Sequence, residues 1–224
     1  AGFGYEFDEK GRTTRLENRN AFGIPRTDSQ GVATYQHTYN SDNLPVETGS
    51  YNAHGNPIEN KDGISVFVNE YNDKGLVQKE TFLDRYKNIK ESTNGIASVS
   101  RTFDDLGRTV TERYGDRANQ PTTDNVGVCS KKFTYDKNGF PTEITTLSCS
   151  GNPKASRDGY ATTKFDYDPD GLVIKKSYFD ENGEPASNDD GISITTIEYD
   201  KNSRVSFVAF FDSRGQPTAN KQHV

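Results

Sequence analysis

Residues 158–185 read DGYATTKFDYDPDGLVIKKSYFDENGEP. Two runs rich in Thr, Val, Ile, Tyr and Phe, the second being Leu172 to Phe179, are each followed by an aspartate and, three positions on, a glycine: Asp168 to Gly171 and Asp180 to Gly183. Asp opens a tight turn because its short side chain accepts a hydrogen bond from the backbone two residues on, and Gly tolerates positive φ at no steric cost. A type I turn closed by a left-handed glycine is a common hairpin connection. The stretch therefore predicts strand, turn, strand, turn.

The unit recurs in both directions. Gly31, Gly63, Gly95, Gly127, Gly159 and Gly191 stand 32 residues apart without insertion or deletion, and 224 residues hold seven such periods. Self-similarity at a fixed period of this size marks an array in which each repeat contacts mainly its neighbours. We expect a single array over residues 1–224 with boundaries near those six glycines. One column is aromatic: Phe7, Tyr39, Tyr71, Phe103, Tyr135, Tyr167 and Tyr199. Asp or Asn follows directly, and three residues later stands a turn glycine in Gly11, Gly75, Gly107, Gly139 and Gly171, with Asn43 and Ser203 in the other two copies. The motif returns twelve residues on, as in Tyr51-Asn52-x-x-Gly55-x-Pro57; copy three departs most, with Lys87 and Ile89. Sixteen of the 20 glycines fall in three columns and six of the nine prolines in one.

In the first strand of each repeat, one face begins with a small residue (Ala33, Ser65, Ala97, Cys129, Ala161, Ser193) and ends with the aromatic. The other face carries Thr, Ser, Lys, Gln and Glu, the period-2 pattern of a half-buried strand. The second strand ends with bulky residues on both faces, as in Phe82-Leu83 and Phe210-Phe211, so its inner face stays open. The aromatic column reads as a core ladder, and the unmatched Tyr5, Tyr86 and Tyr160 as exposed. The expected fold is all-β: a tandem-repeat antiparallel β-hairpin array, a β-solenoid or spiral ribbon. The alternative is a seven-bladed propeller-like ring.

Hydrophobic residues make up only 30% of the chain, yet 12 Tyr, 13 Phe and strict turn punctuation argue against disorder. A thin core of stacked columns reconciles the two. Net charge is −6 and no Lys/Arg cluster is interleaved with aromatics, so nucleic acid is a poor partner. No run approaches the length of a membrane span. Methionine is absent, so Ala1 is not an initiating residue; a processed or excerpted chain, and secretion, are the expectation. Cys129 and Cys149 are confined to one repeat, 20 residues apart, in columns that elsewhere hold Ala, Ser, Arg or Glu. A pair present in one copy only suggests a local disulfide; the alternative is two unconnected small buried residues. No asparagine begins Asn-x-Ser/Thr, so N-linked sugars are not encoded.

His37, His54 and His223 occupy three different columns, and no constellation for a nucleophile, base, phosphate loop or cofactor occurs. We therefore expect no catalytic residue, no cofactor and no enzyme. Asp168 and Asp170 are the weak calcium candidate; their turn lacks the further oxygens and distal Glu that a calcium loop supplies. Exposed aromatics keep glycans as a candidate partner.

Phe7-Asp8-Glu9-Lys10-Gly11-Arg12 and Phe103-Asp104-Asp105-Leu106-Gly107-Arg108 resemble the YD (Rhs-type) repeat, Y-D-x-x-G-R, although the period here is longer than in that family. The fuller unit, from Asp158-Gly159-Tyr160 to Gly183-x-Pro185, looks like repeats of bacterial surface and secreted proteins. The resemblance implies an antiparallel β-ribbon on a non-catalytic extracellular scaffold, and no functional residue carries over from it. Ala1 sits in the small-residue column and Asn220 to Val224 match Asn60 to Ile64, with His223 in place of Gly63. A residue 225 would continue the register. The expected function is a structural subunit or segment of a bacterial surface filament that self-associates head to tail. The alternative is an adhesin or carbohydrate-binding module.

Overall fold

The computed structural model describes residues 2–219; the expectations for Ala1 and for residues 220–224, His223 included, lie outside them. Each repeat contributes two strands. The first strands are Gly2–Phe7 (β1), Thr34–Tyr39 (β3), Val66–Tyr71 (β5), Ser98–Phe103 (β7), Ser130–Tyr135 (β9), Thr162–Tyr167 (β11) and Ile194–Tyr199 (β13). The second strands are Thr13–Arg19 (β2), Pro45–Tyr51 (β4), Val77–Leu83 (β6), Thr109–Gly115 (β8), Pro141–Leu147 (β10), Val173–Phe179 (β12) and Val205–Phe211 (β14), followed by Pro217–Thr218 (β15). Among the described residues there is no helix.

Strands are hydrogen-bonded in chain order from β1 to β15 within one sheet. Inside a repeat the two strands form a hairpin, as in Tyr5 opposite Leu16. Between repeats the middle of the second strand pairs with the start of the next first strand, Leu16 opposite Tyr35 and Thr48 opposite Phe67. Separate blades would lack this edge-to-edge pairing. The hairpin array, not the seven-bladed ring, is the architecture.

Among the described residues, turns of one kind punctuate every repeat, three in each of the first six. Asp8, Asn20 and Asp28 each accept hydrogen bonds at one side-chain oxygen from the amides two and four residues on. In each, the amide three residues on donates to the backbone carbonyl of the opening residue. That residue has φ near 80° in Gly11, Gly23 and Gly31. The non-glycine residues of these columns, Asn43, Lys87, Asn119 and Ser203, take the same left-handed conformation, with φ between 59° and 65°. The extra residue shifts the register at the hairpin's aromatic, Phe7 opposite Thr13 after Glu6 opposite Arg15, the signature of a bulge.

After the second turn the chain returns briefly along its own strand. Tyr51 bridges Pro57 and Phe179 bridges Pro185, while the next residue donates to the strand, Ile58 N–H to the Ser50 carbonyl. Proline suits this column because the bridge asks no amide of it. The third turns then stack directly, the Lys61 amide on the Gln30 carbonyl and the Thr93 amide on the Asp62 carbonyl.

Packing divides the chain into two compact units. The first holds the chain up to Thr102 together with Tyr114–Thr122, and the second Phe103–Arg113 together with what is described from Thr123 on. The core of the first unit includes Val32, Ala33, Ile64, Ser65, Ile96 and Ala97, and that of the second Val128, Cys129, Ala161, Ile192 and Ser193; Val66, Phe82, Val99 and Tyr114 in the first and Tyr178 in the second are buried beside them. Both core sets are the two residues directly after the third-turn glycine. The core is thus centred on the small-residue column and its predecessor, whose amide is held by the third turn, as Val32 is by Asp28, with strand residues such as Phe82 and Tyr178 packed beside it.

The expected aromatic core ladder lies outside this set. Phe7 is 60% exposed, and Tyr39, Tyr71, Phe103, Tyr135, Tyr167 and Tyr199 are half-buried. A phenol keeps its hydroxyl where it finds a partner, and a column at the far end of the strand, beside the hairpin turn, meets the neighbouring repeat rather than the interior. Tyr5 and Tyr86 are exposed, whereas Tyr160 is half-buried, its ring 4.3 Å from that of Tyr178.

Candidate functional site

The aromatic column and the residue after each hairpin glycine form a clasp between successive repeats. The Tyr39 hydroxyl donates to the Thr13 carbonyl at 2.6 Å, and Tyr71 repeats the bond onto Pro45, Tyr135 onto Thr109, Tyr167 onto Pro141 and Tyr199 onto Val173. Over three of these rings lies the side chain that follows the previous hairpin glycine. The Arg12 guanidinium sits 4.6 Å from the Tyr39 ring centre, Arg108 4.7 Å from that of Tyr135, and the Phe140 ring stacks 5.1 Å from Tyr167. Phe140 also approaches Gly171 so closely that a Cβ there would collide with its ring.

Electrostatics holds the arginine version in place. Asp8 accepts from Arg12 Nε at 2.6 Å while Arg12 Nη1 donates to Asn43 Oδ1 at 3.0 Å in the next hairpin. Arg108 binds Asp104 at 2.7 Å and reaches the Asp136 carbonyl at 3.3 Å. The Arg12 guanidinium, then the Arg12 amide, hold the Asp8 carboxyl below its ordinary range. For Asp104 the order is reversed, with the Arg108 amide first. Cations over aromatic faces and charge-assisted bonds of this kind fix geometry as well as adding energy.

At one edge of the array, β1 presents Phe7 with its ring largely in water. At the other, the hairpin between β13 and β14 presents Arg204, bound to Asp200 at 2.9 Å with its side chain 73% exposed, against 23% for Arg12 and 28% for Arg108.

The other expected residues are placed as follows. Cys129, just before β9, and Cys149, just past β10, are joined in a disulfide. Asp168 spends Oδ1 on the amides of Asp170 and Leu172, and Asp170 is exposed at the turn tip. Among the described residues no three His, Cys, Asp or Glu side chains converge as a metal site. His37 is half-buried with Nδ1 3.0 Å from Thr48 Oγ1, and burial pushes its pKa below the ordinary value. His54 is exposed at a second turn. The column after the hairpin glycine, Arg12, Leu44, Leu76, Arg108, Phe140, Leu172 and Arg204, went unread as a site; its signal is that every copy is long or aromatic on an otherwise polar turn.

No protein-family model matches the chain, and no curated protein is significantly similar to it. Among solved structures, a Photorhabdus luminescens Tc holotoxin pore matches 93% of this chain at 11% identity and TM-score 0.38, over 11% of that chain. A TcdB2-TccC3-TEV crystal structure matches 96% at 12% identity and TM-score 0.24, over 14% of that chain. A porin-like protein from Bacteroides uniformis matches 86% at 14% identity and TM-score 0.31, over 88% of that chain. The chain thus spans a small fraction of the Tc chains, and the likeness is coarse. No helix among the described residues is long and apolar enough to cross a membrane.

Proposed function

We propose that the chain is a non-catalytic extracellular structural repeat protein, a subunit or segment of a bacterial surface filament that assembles end to end. The observation that carries this reading is the clasp repeated between successive repeats, the Arg12 guanidinium over the Tyr39 ring and Arg108 over Tyr135, because a self-similar unit offers to a further copy the surface it offers to its neighbour; Phe7 and Arg204 stand in the same columns. A head-to-tail contact of this kind, when it does not close on itself, propagates as a fibre. The disulfide suits an oxidising compartment, and the turn aspartates spend one carboxylate oxygen on their own backbone amides, as Asp8, Asp104 and Asp168 do.

Negative-stain microscopy and sedimentation of the full chain test this, with Arg204→Glu and Phe7→Ser as variants. Concentration-dependent filaments that shorten or vanish in both variants support the proposal. Monodisperse single chains at every concentration, or filaments indifferent to both substitutions, sink it.

A second reading, glycan adhesion, is favoured by one observation. Phe22, His54 and Tyr86 stand at the same exposed tip of the second turn in three consecutive repeats, all in the first compact unit. Glycan-array binding lost in Phe22→Ala with Tyr86→Ala would favour adhesion over a purely structural role.

A further inference from the structure

In each hairpin one cross-strand pair lies next to the core residues. Its members are Phe3 and Asn18, Tyr35 and Ser50, Phe67 and Phe82, Lys131 and Thr146, Thr163 and Tyr178, Thr195 and Phe210. In the fourth repeat the second-strand position holds Tyr114, buried. Every repeat therefore supplies at least one aromatic ring here except the fifth, which supplies Lys131 and Thr146. Where both members are aromatic they pack edge to face, Phe67 against Phe82 at 5.6 Å. Large side chains removed from one position of a stacked array leave unfilled space, because neighbouring repeats hold the backbone in register.

That space is present. A half-open cavity of about 350 Å³ lies at the Lys131–Thr146 pair, within the second compact unit. Val128, Phe133, Ile144, Tyr160 and Phe165 give it apolar and aromatic walls, and the charged side chains of Glu112, Lys131, Asp158 and Lys176 line it as well. Several of its polar groups already have partners. The Thr146 hydroxyl is turned onto the carbonyls of Lys154 and Ala161 at 2.6 and 3.0 Å. Lys176 Nζ lies 4.8 Å over the Tyr178 ring, and Glu112 faces Lys131 across the β8–β9 pairing. The same repeat carries the disulfide, which ties Cys129, beside Val128, to Cys149, three residues past Thr146. The wall of the cavity is thus braced where its packing ring is missing.

We propose that this cavity is a binding site for a small uncharged aromatic molecule of one or two rings, which takes the place that Phe82 or Tyr178 fills in other repeats. The volume is at the lower end of the range for small-molecule sites, about 300–1,000 Å³. Ring faces and edges supply the apolar contact, and the charged lining residues come in both signs, two acids and two lysines, so no net charge favours an ionised ligand.

The experiment is a titration of the isotope-labelled full chain with indole, followed by amide chemical shifts. Saturable shifts confined to the neighbourhood of Val128, Thr146, Tyr160 and Ala161 are expected. Thr146→Phe, which restores the ring, should weaken binding at least tenfold while raising the melting temperature. Should that variant lose its dispersed spectrum, Lys131→Phe fills the same cavity from the opposite strand and reads out identically. The proposal is overturned by an absence of shifts up to the solubility of indole, by shifts spread over the whole sheet, or by equal binding in a folded ring-restored variant.

Discussion

The Tyr39 hydroxyl lies 2.6 Å from the carbonyl oxygen of Thr13, a residue 26 positions earlier in the previous repeat. The bond couples neighbouring repeats at the end of the sheet away from the buried core, where strand pairing has been interrupted by the hairpin bulge. A solenoid's stability is approximately a sum of repeat and nearest-neighbour terms, so this contact belongs to the second kind. Phe7 and Phe103 hold the same column without a hydroxyl.

Tyr39→Phe should lower stability by about 1 kcal/mol, the net value of one hydrogen bond. Amide exchange would show the loss in the first two repeats and none in distant ones. A uniform loss across the array would refute a nearest-neighbour role.

Gly11 and Gly171 share a column and a left-handed φ, +77° and +84°, but differ in surroundings. Gly11 has nothing near its missing Cβ, whereas Gly171 is covered by the Phe140 ring. Gly11→Ala should cost about 1–2 kcal/mol of backbone strain, and Gly171→Ala about 1–3 kcal/mol more from overpacking. Equal melting-temperature drops in the two variants would contradict the clasp at Phe140.

Ser65 is wholly buried and its Oγ has no hydrogen-bond partner. Alanine fills the same column at Ala33, Ala97 and Ala161. Ser65→Ala should therefore stabilise, by about 1 kcal/mol, through removal of an unsatisfied hydroxyl; a fall in melting temperature would show the hydroxyl to be satisfied in solution.

Acid should act on some turns and spare others. The Arg108 amide, followed by its guanidinium, depresses the Asp104 carboxyl, so this turn contributes stability that is present above the unfolded pKa of about 4 and lost as pH falls through the lower folded value. Asn40 holds the same column with a side chain that does not titrate there, its oxygen accepting from the Asp42 and Leu44 amides. Below about pH 4, exchange protection should drop at Leu106 and Arg108 and persist at Asp42 and Leu44; parallel loss at both turns would count against the carboxylate as the cause.

Reduction of Cys129–Cys149, or the double change to alanine, should cost about 3 kcal/mol on the loop-closure model for a loop of this length. The loss should be centred on the fifth repeat and should weaken indole binding, since the disulfide braces the cavity wall. Thermal melts with and without reductant, beside the alanine variant, measure it.

The turns were legible in the sequence because their physics is local. An Asp, Asn or Ser oxygen reaches the amides two and four residues on, and the position between them needs φ > 0; both demands are written within five residues, even where Lys87 or Ser203 replaces glycine. The period of 32 then dictated that whatever one repeat does, its neighbours do alongside it. Which side chains meet was not legible in the same way. Arg12 and Tyr39 are 27 residues apart and touch only because the hairpin of one repeat is hydrogen-bonded beside the next; the aromatic column looked like a core for want of that register. The core fell instead to the residues after the third turn, where stacked turns close over the start of the strand and exclude water from both of its faces. The cavity at Thr146 has the same origin. A missing ring is visible in the sequence only after cross-strand pairing shows that Lys131 is its partner and brings none.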